Sequence, residues 1–320
     1  MANSYTGTSA ITNQTAMTNL IQTAYDKYVE MALRSQPLLR SLCDKQPVSV
    51  TSPGVTIQLA LYSTELAEAT TPLTENVDPD SVSLPTPGTV SLTLNEYGNA
   101  ALLTKKLGLT SLTDVDPIAA DLIAWNMAQS IDSLVSTVAI GGTNVIYATG
   151  GATPATSTVT TASDDVLVAA DVRKAVAKLR AAAVQPRQGS LYAAYVHPEV
   201  SHDIRAEATG GGFQDLHKYD ASENFWPGFI GTFEGAYFVE SPRMAVATDG
   251  ATSAKVYRSL VLGKQFIAEA VAEEPHVVVG PVTDSLMRHR PLGWYGVLGF
   301  ARYREAAGYR IESTSSINSA

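Results

Sequence analysis

Residues that could do chemistry together are concentrated between positions 197 and 203. His197 and His202 are two of five histidines, but they lie five positions apart, whereas two zinc ligands on one helical face need a spacing of four. Ser201 and Asp203 flank His202 and complete the residue types of a hydrolytic triad. Adjacent side chains cannot face one another as nucleophile, base and orienting acid. Both sets are therefore better explained by structural roles.

Two further motifs lack residues that their chemistry would need. Gly210-Gly211-Gly212 lacks the Lys-Ser/Thr that follows in a phosphate-binding loop, and a flexible loop tip is the better interpretation. Asp78-Pro79-Asp80 lacks the glycine and the closing glutamate of a calcium loop. The sequence therefore predicts no catalytic, cofactor-binding or metal-binding residues, no cofactor, and a protein that is not an enzyme.

The most unusual charged segment is residues 64–88, which joins two alternating segments, 55–63 and 89–105, that predict β-strands. A connection this long needs a binding role, and a two-stranded ribbon is only marginally stable alone. No Lys or Arg occurs between Lys45 and Lys105, and all charges in the connection are negative: Glu65, Glu68, Glu75, Asp78 and Asp80. We expect this acidic segment to contact a neighbouring subunit.

Basic residues elsewhere could supply the complementary surface. The favoured candidates for this intersubunit contact are Lys105, Lys106, Arg302 and Arg304. The alternative is that they lie on solvated faces. We adopt that alternative for a second basic cluster, which consists of Arg173, Lys174, Lys178 and Arg180.

The segment around which the chain is organised is residues 116–140, where apolar residues recur at steps of three and four. Asp116 is predicted to be the N-cap and Pro117 the first helical residue. Gly141 is predicted to end the helix in the left-handed conformation. The resulting rod is roughly 35–40 Å long, and we call it the spine helix.

The remaining pattern mixes helices and strands, which favours an α+β fold. Residues 16–44 predict a helix with a kink at Pro37, and residues 143–164 predict a crossing between domains. Helices are expected over 164–184, with Val172, Val176, Leu179 and Ala183 inward, and over 198–207, and a long loop over 208–230. Strands are expected over 191–198, 234–241, 255–272 with a break at Gly263, and 276–281. Residues 292–314 predict a long strand or a hairpin, with turns at 305–308, that returns to the spine helix.

Composition narrows the class of protein. The formal charge of −9 argues against a surface built to grip nucleic-acid phosphates, although a protein that encloses DNA remains compatible with it. The single cysteine, Cys43, suits a reducing compartment and is best explained as a small buried residue. No secretion signal is visible at the N-terminus, and no apolar run reaches eighteen residues. We expect synthesis in the cytoplasm and no membrane partner.

The order of these parts resembles the major capsid protein of tailed bacteriophages with the Hong Kong 97-like fold. Segments of similar sequence support the resemblance over roughly residues 16–314. They include ATTPLTENVDPD (69–80), NEYGNAALLTKKL (95–107), GGTNVIYATGG (141–151), ADVRKAVAKLRAAAVQP (170–186), YVHPEVSHDIR (195–205) and IGTFEGAYFVES (230–241). The individual motifs are weak, and their shared order is specific.

The resemblance implies a division of the chain and a set of partners. Residues 1–50 would be an N-terminal arm, 51–104 an extended loop, 105–150 a peripheral domain with the spine helix, 151–274 an axial domain and 275–320 the return strands of the peripheral domain. Such a protein assembles with itself as hexamers and pentamers into the icosahedral head, or virion capsid. It works with a portal and a separate scaffolding protein, and it encloses double-stranded DNA without sequence-specific binding. The need for a decoration protein stays open.

Two departures from the resemblance matter. Some relatives join subunits covalently through a lysine in the extended loop, and this loop contains none. Others carry a long cleaved N-terminal scaffolding segment, whereas here the arm is expected to start close to Met1. Two rival classes remain at this stage: a secreted or surface array protein that also self-assembles, and a metal-dependent hydrolase whose acidic loop binds the ion.

Overall fold

The computed structural model describes most of the chain between residues 37 and 318. The described residues are 37–46, 56–62, 66, 68–70, 72–73, 75–76, 78, 82–111, 115–148, 155–160, 165–207, 231–282 and 284–318. Most of the N-terminal arm predicted over 1–50, most of the helix predicted over 16–44 and the loop predicted over 208–230 lie outside them. So do Glu65 and Asp80.

The described elements are four helices, thirteen strands and five short 3₁₀ turns. The helices are α1 (Lys105–Thr110), α2 (Val115–Ile140), α3 (Ala169–Ala181) and α4 (Pro198–Ala206). The strands are β1 (Cys43–Gln46), β2 (Thr56–Leu61), β3 (Gly88–Thr93), β4 (Asn95–Thr104), β5 (Val145–Tyr147), β6 (Tyr192–Val196), β7 (Thr232–Phe233), β8 (Ala236–Glu240), β9 (Val246–Ala247), β10 (Val256–Leu262), β11 (Ile267–Val279), β12 (His289–Arg302) and β13 (Gly308–Ser313). The 3₁₀ turns are Leu39–Leu42, Thr156–Thr158, Ala251–Ser253, Glu305–Ala307 and Ser316–Asn318.

A four-stranded sheet with the order β1-β11-β12-β4 supports the spine helix. β1 runs parallel to β11, and the other neighbouring strands are antiparallel. Trp294 and Leu292 of β12 pack against Ile123 of α2, and the Trp294 indole donates a hydrogen bond of 3.0 Å to Asn126 Oδ1. β4 is an edge strand of this sheet. The long predicted helix is therefore confirmed, and it lies on one face of the sheet.

The ends of the spine helix α2 differ from the prediction. The helix begins at Val115, so Asp116 is not the N-cap but lies in the first turn, where it forms an ion pair of 3.0 Å with Arg290. Gly141 is not left-handed, because among the described glycines only Gly189, Gly231 and Gly235 have a positive φ. Instead, the guanidinium groups of Arg302 and Arg310 bind the carbonyl oxygens of Val138 and Ile140. A Cβ at Gly141 would lie 2.6 Å from Arg302 Nη1, so a larger residue there would displace the Arg302 guanidinium.

The second sheet has the order β5-β13-β10-β6-β8-β7, and β9 pairs with β10. The helices α3 and α4 supply buried residues to the core around it, and the predictions of both helices and of the β6 strand are confirmed. Val172, Val176 and Leu179 point inward as predicted, but Ala183 is exposed, because its φ of 51° ends the helix before it. β5 and β13 belong to this sheet although they fall in the segments predicted for the peripheral domain. The domain limits stay a prediction.

A two-stranded hairpin projects from this body. β2 pairs with β3 from Thr56↔Thr93 to Leu61↔Gly88. The return segment 89–105 was predicted as one strand, but it forms two, because β3 pairs with β2 whereas β4 pairs with β12. The break falls beside Gly299, where a Cβ would lie 2.3 Å from the Thr93 carbonyl oxygen. Glycine therefore allows β12 to pass close to the base of the hairpin.

Residues 37–44 are not helical, contrary to the prediction. A 3₁₀ turn buries Leu39 and Leu42, and the chain then pairs with β11 as the strand β1. Pro37 cannot occupy a helix interior, and the pairing with β11 satisfies the backbone that a helix would otherwise satisfy.

The C-terminal strands are confirmed in part. The break predicted at Gly263 separates β10 from β11. Residues 276–281 were predicted as a separate strand, but most of them continue β11 to Val279 through two irregularities in its register with β12. β12 and β13 do not form a hairpin with each other, because they belong to different sheets.

One buried carboxylate connects the spine helix to both sheets. Asp132 is 1 % exposed. Its Oδ1 accepts a hydrogen bond of 2.6 Å from the backbone N–H of Leu39, and its Oδ2 lies 2.8 Å from Nε of Arg243. Leu39 leads into β1 of the first sheet, and Arg243 follows β8 of the second. Arg243 also donates to the Gln129 carbonyl oxygen at 3.1 Å.

We predict that Asp132→Asn lowers the free energy of unfolding by about 3–5 kcal/mol, because it leaves the mostly buried Arg243 without its charged partner. Chemical denaturation of the unassembled chain measures this. Asp121→Asn, an exposed position on the same helix, is the matched control and should change stability by less than about 0.5 kcal/mol. Equal effects of the two variants would contradict the assignment.

Candidate intersubunit surfaces

The connection between β2 and β3 exposes acidic and apolar side chains together. Glu68, Glu75 and Asp78 are exposed, as is every described residue from 66 to 78. Leu73 and Leu84 are 78 % and 83 % exposed, which is unusual for side chains of this size in a monomer. The described part of the connection contains no helix or strand. This segment, residues 62–87, is called the acidic tip below.

The base of the hairpin is anchored, unlike its tip. Leu92 is fully buried against Ala268 and Ala270 of β11, with Ile57 and Leu59 packed beside it. The Tyr303 hydroxyl donates a hydrogen bond of 2.8 Å to the Ala60 carbonyl oxygen. The hairpin is therefore held at its root by its own chain, and the acidic tip is left for contacts elsewhere.

The predicted basic partners lie at opposite ends of the spine helix. Lys105 and Lys106 are exposed at the start of α1, and the Lys105 backbone N–H donates to the Arg288 carbonyl oxygen at 2.8 Å. Arg302 pairs with Glu305 at 2.9 Å and binds the C-terminal end of α2, while Arg304 donates to the Ala182 carbonyl oxygen at 2.8 Å. The structure thus does not bring the four residues together, and Arg302 and Arg304 bind the ends of two different helices. Their intersubunit role stays a prediction.

A cleft of about 420 Å³ opens beside Lys105, at the N-terminal end of the spine helix. Its polar rim includes Arg288 and Arg290, which also pair within the chain with Asp284 at 2.6 Å and Asp116 at 3.0 Å. Apolar residues line the walls, namely Leu103, Leu107, Leu109, Val115, Val282 and Met287.

Sequence reasoning did not identify this cleft. Leu109 and Met287 are 78 % and 74 % exposed, so the cleft combines an apolar surface with positive charge. The available signal was the presence of large apolar residues in two short, basic segments, KKLGL (105–109) and LMRHR (286–290). Large apolar residues in such short basic segments often stay exposed, as Leu109 and Met287 do here.

The described part of the N-terminal arm is fixed by ion pairs. Arg40 lies 2.6 Å from the buried Glu269 and 3.0 Å from Glu274, and Lys45 lies 3.5 Å from Glu274. Asp44 lies 3.6 Å from Arg187. The hydrogen bond from Arg40 holds the pKa of the Glu274 carboxyl below its usual value. Burial raises the pKa of the Cys43 thiol, which agrees with an unreactive packing role.

The candidate catalytic residues have structural partners. His197 Nδ1 accepts from the Glu199 backbone N–H at the start of α4, and the Ser201 hydroxyl binds Glu240 on β8 rather than His202. Among the described residues, no group of three His, Cys, Asp or Glu side chains could hold a metal ion. No helix in the described part of the chain is long and apolar enough to cross a membrane.

The fold is that of subunits that build phage shells. The structure is similar to the acid-stable capsid structure of Helicobacter pylori bacteriophage KHP30, with a TM-score of 0.69 at 11 % identity, over 98 % of this chain and 99 % of that chain. It is also similar to the capsid asymmetric unit of cyanophage Pam1 (TM-score 0.66, 14 % identity, 93 % and 98 % covered) and to a structure from Mycobacterium phage Che8 (TM-score 0.65, 14 % identity, 92 % and 97 % covered).

The chain belongs to the phage capsid protein family, whose model matches residues 26–317. No curated protein matches it. The predicted Hong Kong 97-like fold and the predicted class, a structural major capsid protein located in the virion head, are confirmed. The predicted self-association is confirmed at the level of a capsid lattice.

The ion pairs of the arm predict a pH dependence. Because the pKa of Glu274 in the folded chain lies below its ordinary value of 4.5, its pairing contributes stability above that pH, and this contribution is lost as the pH falls through the folded pKa. Hydrogen exchange of residues 43–46, corrected for intrinsic rates, should show loss of protection below about pH 4.5. Glu274→Gln should be less protected at pH 7 and show a weaker pH dependence. Identical pH profiles for the two proteins would refute this role of Glu274.

Proposed function

We propose that this capsid subunit closes its shell by laying the acidic tip of its extended loop, residues 51–104, over a neighbouring subunit. The observation that carries the proposal is the contrast within the hairpin: Leu92 at its base is fully buried, and Leu73 and Leu84 at its tip are almost fully exposed. Apolar side chains on a long arm gain burial only when a second molecule covers them. A closed shell supplies that molecule at every position.

The acidic tip would bind a basic surface of the neighbour. Glu65, Glu68, Glu75, Asp78 and Asp80 supply one sign of charge, and Lys105, Lys106, Arg302 and Arg304 the other. The cleft beside Lys105 offers apolar walls as well as charge, which suits a tip that carries leucines. Arg302 and Arg304 already bind backbone carbonyl oxygens of their own chain. The geometry therefore favours Lys105 and Lys106.

The wider assembly follows from the same proposal. Subunits would form hexamers and pentamers, divided into arm (1–50), extended loop (51–104), peripheral domain (105–150 and 275–320) and axial domain (151–274). A separate scaffolding protein and a portal would take part in assembly, and double-stranded DNA would be enclosed without sequence recognition. The protein would act without catalysis, since Ser201 and His197 are engaged in structural hydrogen bonds.

We predict that Glu68→Lys lowers the yield of closed shells and that adding Lys106→Glu restores it. An exposed ion pair contributes only about 0.2–1 kcal/mol, but a shell repeats the contact in every subunit. Sedimentation and electron microscopy of assembly reactions at low and high salt measure the yield, and the defect should be largest at low salt.

The matched control for this rescue is Lys174→Glu combined with Glu68→Lys. It has the same net charge, but Lys174 lies on α3 rather than beside the cleft, so no rescue is expected. If Glu68→Lys leaves the shells unchanged at every salt concentration, or if both second changes rescue equally, the proposed pairing is wrong.

A further inference from the structure

The solvent face of α3 is composed only of alanine and basic residues. The exposed residues of this helix are Ala170, Arg173, Lys174, Ala177, Lys178, Arg180 and Ala181. Its opposite face is buried through Val172, Ala175, Val176 and Leu179. The exposed face carries four positive charges in a chain whose formal charge is −9. An ordinary surface helix mixes both signs of charge, so this face is unusual.

The positive charge continues beyond the end of the helix. Lys264 is exposed, and its backbone N–H donates to the Gln185 carbonyl oxygen at 3.0 Å. The Arg304 guanidinium binds the Ala182 carbonyl oxygen at the last turn. The acidic neighbours lie towards the other end, where Asp171 is in the first turn and Glu234 pairs with Arg173 at 2.7 Å. The C-terminal part of α3 is therefore the cationic part. We call Lys174, Lys178, Arg180, Lys264 and Arg304 the α3 basic face.

The composition of this face indicates which kind of partner it fits. A protein partner needs buried apolar anchors at the centre of its contact, and the exposed positions of α3 offer only alanine. The cleft beside Lys105 differs, because it combines positive charge with exposed Leu109 and Met287. Positive charge without apolar anchors suits a polyelectrolyte whose binding energy comes from counterion release. The small alanine side chains between the basic residues allow a phosphate backbone to approach the helix closely.

The negative charge of the whole chain does not oppose this binding strongly. The acidic tip concentrates five acidic residues in one segment, on a hairpin that packs against β11 of the first sheet. Charges separated by more than a Debye length, about 10 Å at 0.1 M salt, are largely screened from each other. A local patch therefore governs local binding, and net charge is a poor guide to it.

We propose that the α3 basic face binds the phosphate backbone of duplex DNA without reading its sequence. The inference rests on the proposed function in one respect, since an assembled head brings DNA to the subunit. A helix face that is only solvated would not bind DNA, whereas this proposal predicts a salt-dependent affinity for DNA that depends on these residues. Lys174 and Lys178 lie one helical turn apart and extend from the same side of the helix, so both can contact one strand.

The test measures binding of a labelled 24-base-pair duplex to the unassembled full-length chain by fluorescence anisotropy, between about 20 and 150 mM salt. Gln keeps good helix propensity, so K174Q/K178Q/R180Q should fold, which circular dichroism melting checks. Loss of three phosphate contacts should lower the slope of log affinity against log salt by about 2.7. We expect affinity at the lowest salt to fall at least tenfold, with shell assembly unchanged.

A second triple variant, K105Q/K106Q/R288Q, removes the same charge from the cleft. It should impair assembly and largely keep DNA binding, which separates failure of this inference from failure of the proposed function. Three results would overturn the inference: no detectable binding by the unaltered chain, equal loss of DNA binding in both variants, or unchanged binding in K174Q/K178Q/R180Q. Loss of assembly in K174Q/K178Q/R180Q would identify the face as a protein contact instead.

Discussion

The buried carboxylate of Asp132 is the constraint on which the described architecture depends. A charge in the middle of an apolar helix is costly unless it is paired and hydrogen-bonded. Here the two oxygens are satisfied from different directions, by the backbone of Leu39 and by the side chain of Arg243. The arm, the spine helix and the second sheet can satisfy this one group only in a single relative arrangement. Apolar packing alone would specify that arrangement less sharply.

The same logic recurs at the C-terminal end of the spine helix. Arg302 is the last residue of β12 in the first sheet, and Arg310 lies on β13 in the second. Both side chains bind terminal carbonyl oxygens of α2. Positive side chains there also complement the helix dipole. The helix is thus joined to both sheets at Asp132 and again at its end. Both sheets therefore contact the same long helix.

Much of the secondary structure could be predicted from local pattern. Apolar periodicity and the positions of glycine and proline predict the spine helix, α3, α4, β6 and the break at Gly263. The failures have a common cause, because distant partners decided them. Residues 43–46 became a strand because β11 is beside them, and the segment 89–105 split because two different strands pair with its halves. At Gly141 the helix end is bound by Arg302, which comes from a distant strand, and the glycine is not left-handed.

The candidate surfaces could be predicted only in part. The acidic tip was evident because charge of one sign is visible in any sequence. The cleft was not, since Leu109 and Met287 come from segments far apart in the chain and look like ordinary apolar residues until their exposure is known. The basic solvent face of α3 could be predicted, because the spacing of Val172, Val176 and Leu179 turns the basic residues of that helix outward.

The edge strand β4 has a consequence for the subunit before it assembles. Among the described strands none pairs with its outer edge, and such an edge, with Leu102 of the strand exposed, is a template for pairing with another extended chain. The hairpin adds a further exposed apolar segment close by. A pool of free subunits is therefore vulnerable to amorphous aggregation, and incorporation into an ordered lattice competes with that loss. Fast assembly therefore keeps subunits soluble, whereas slow assembly at high subunit concentration leads to more aggregated material.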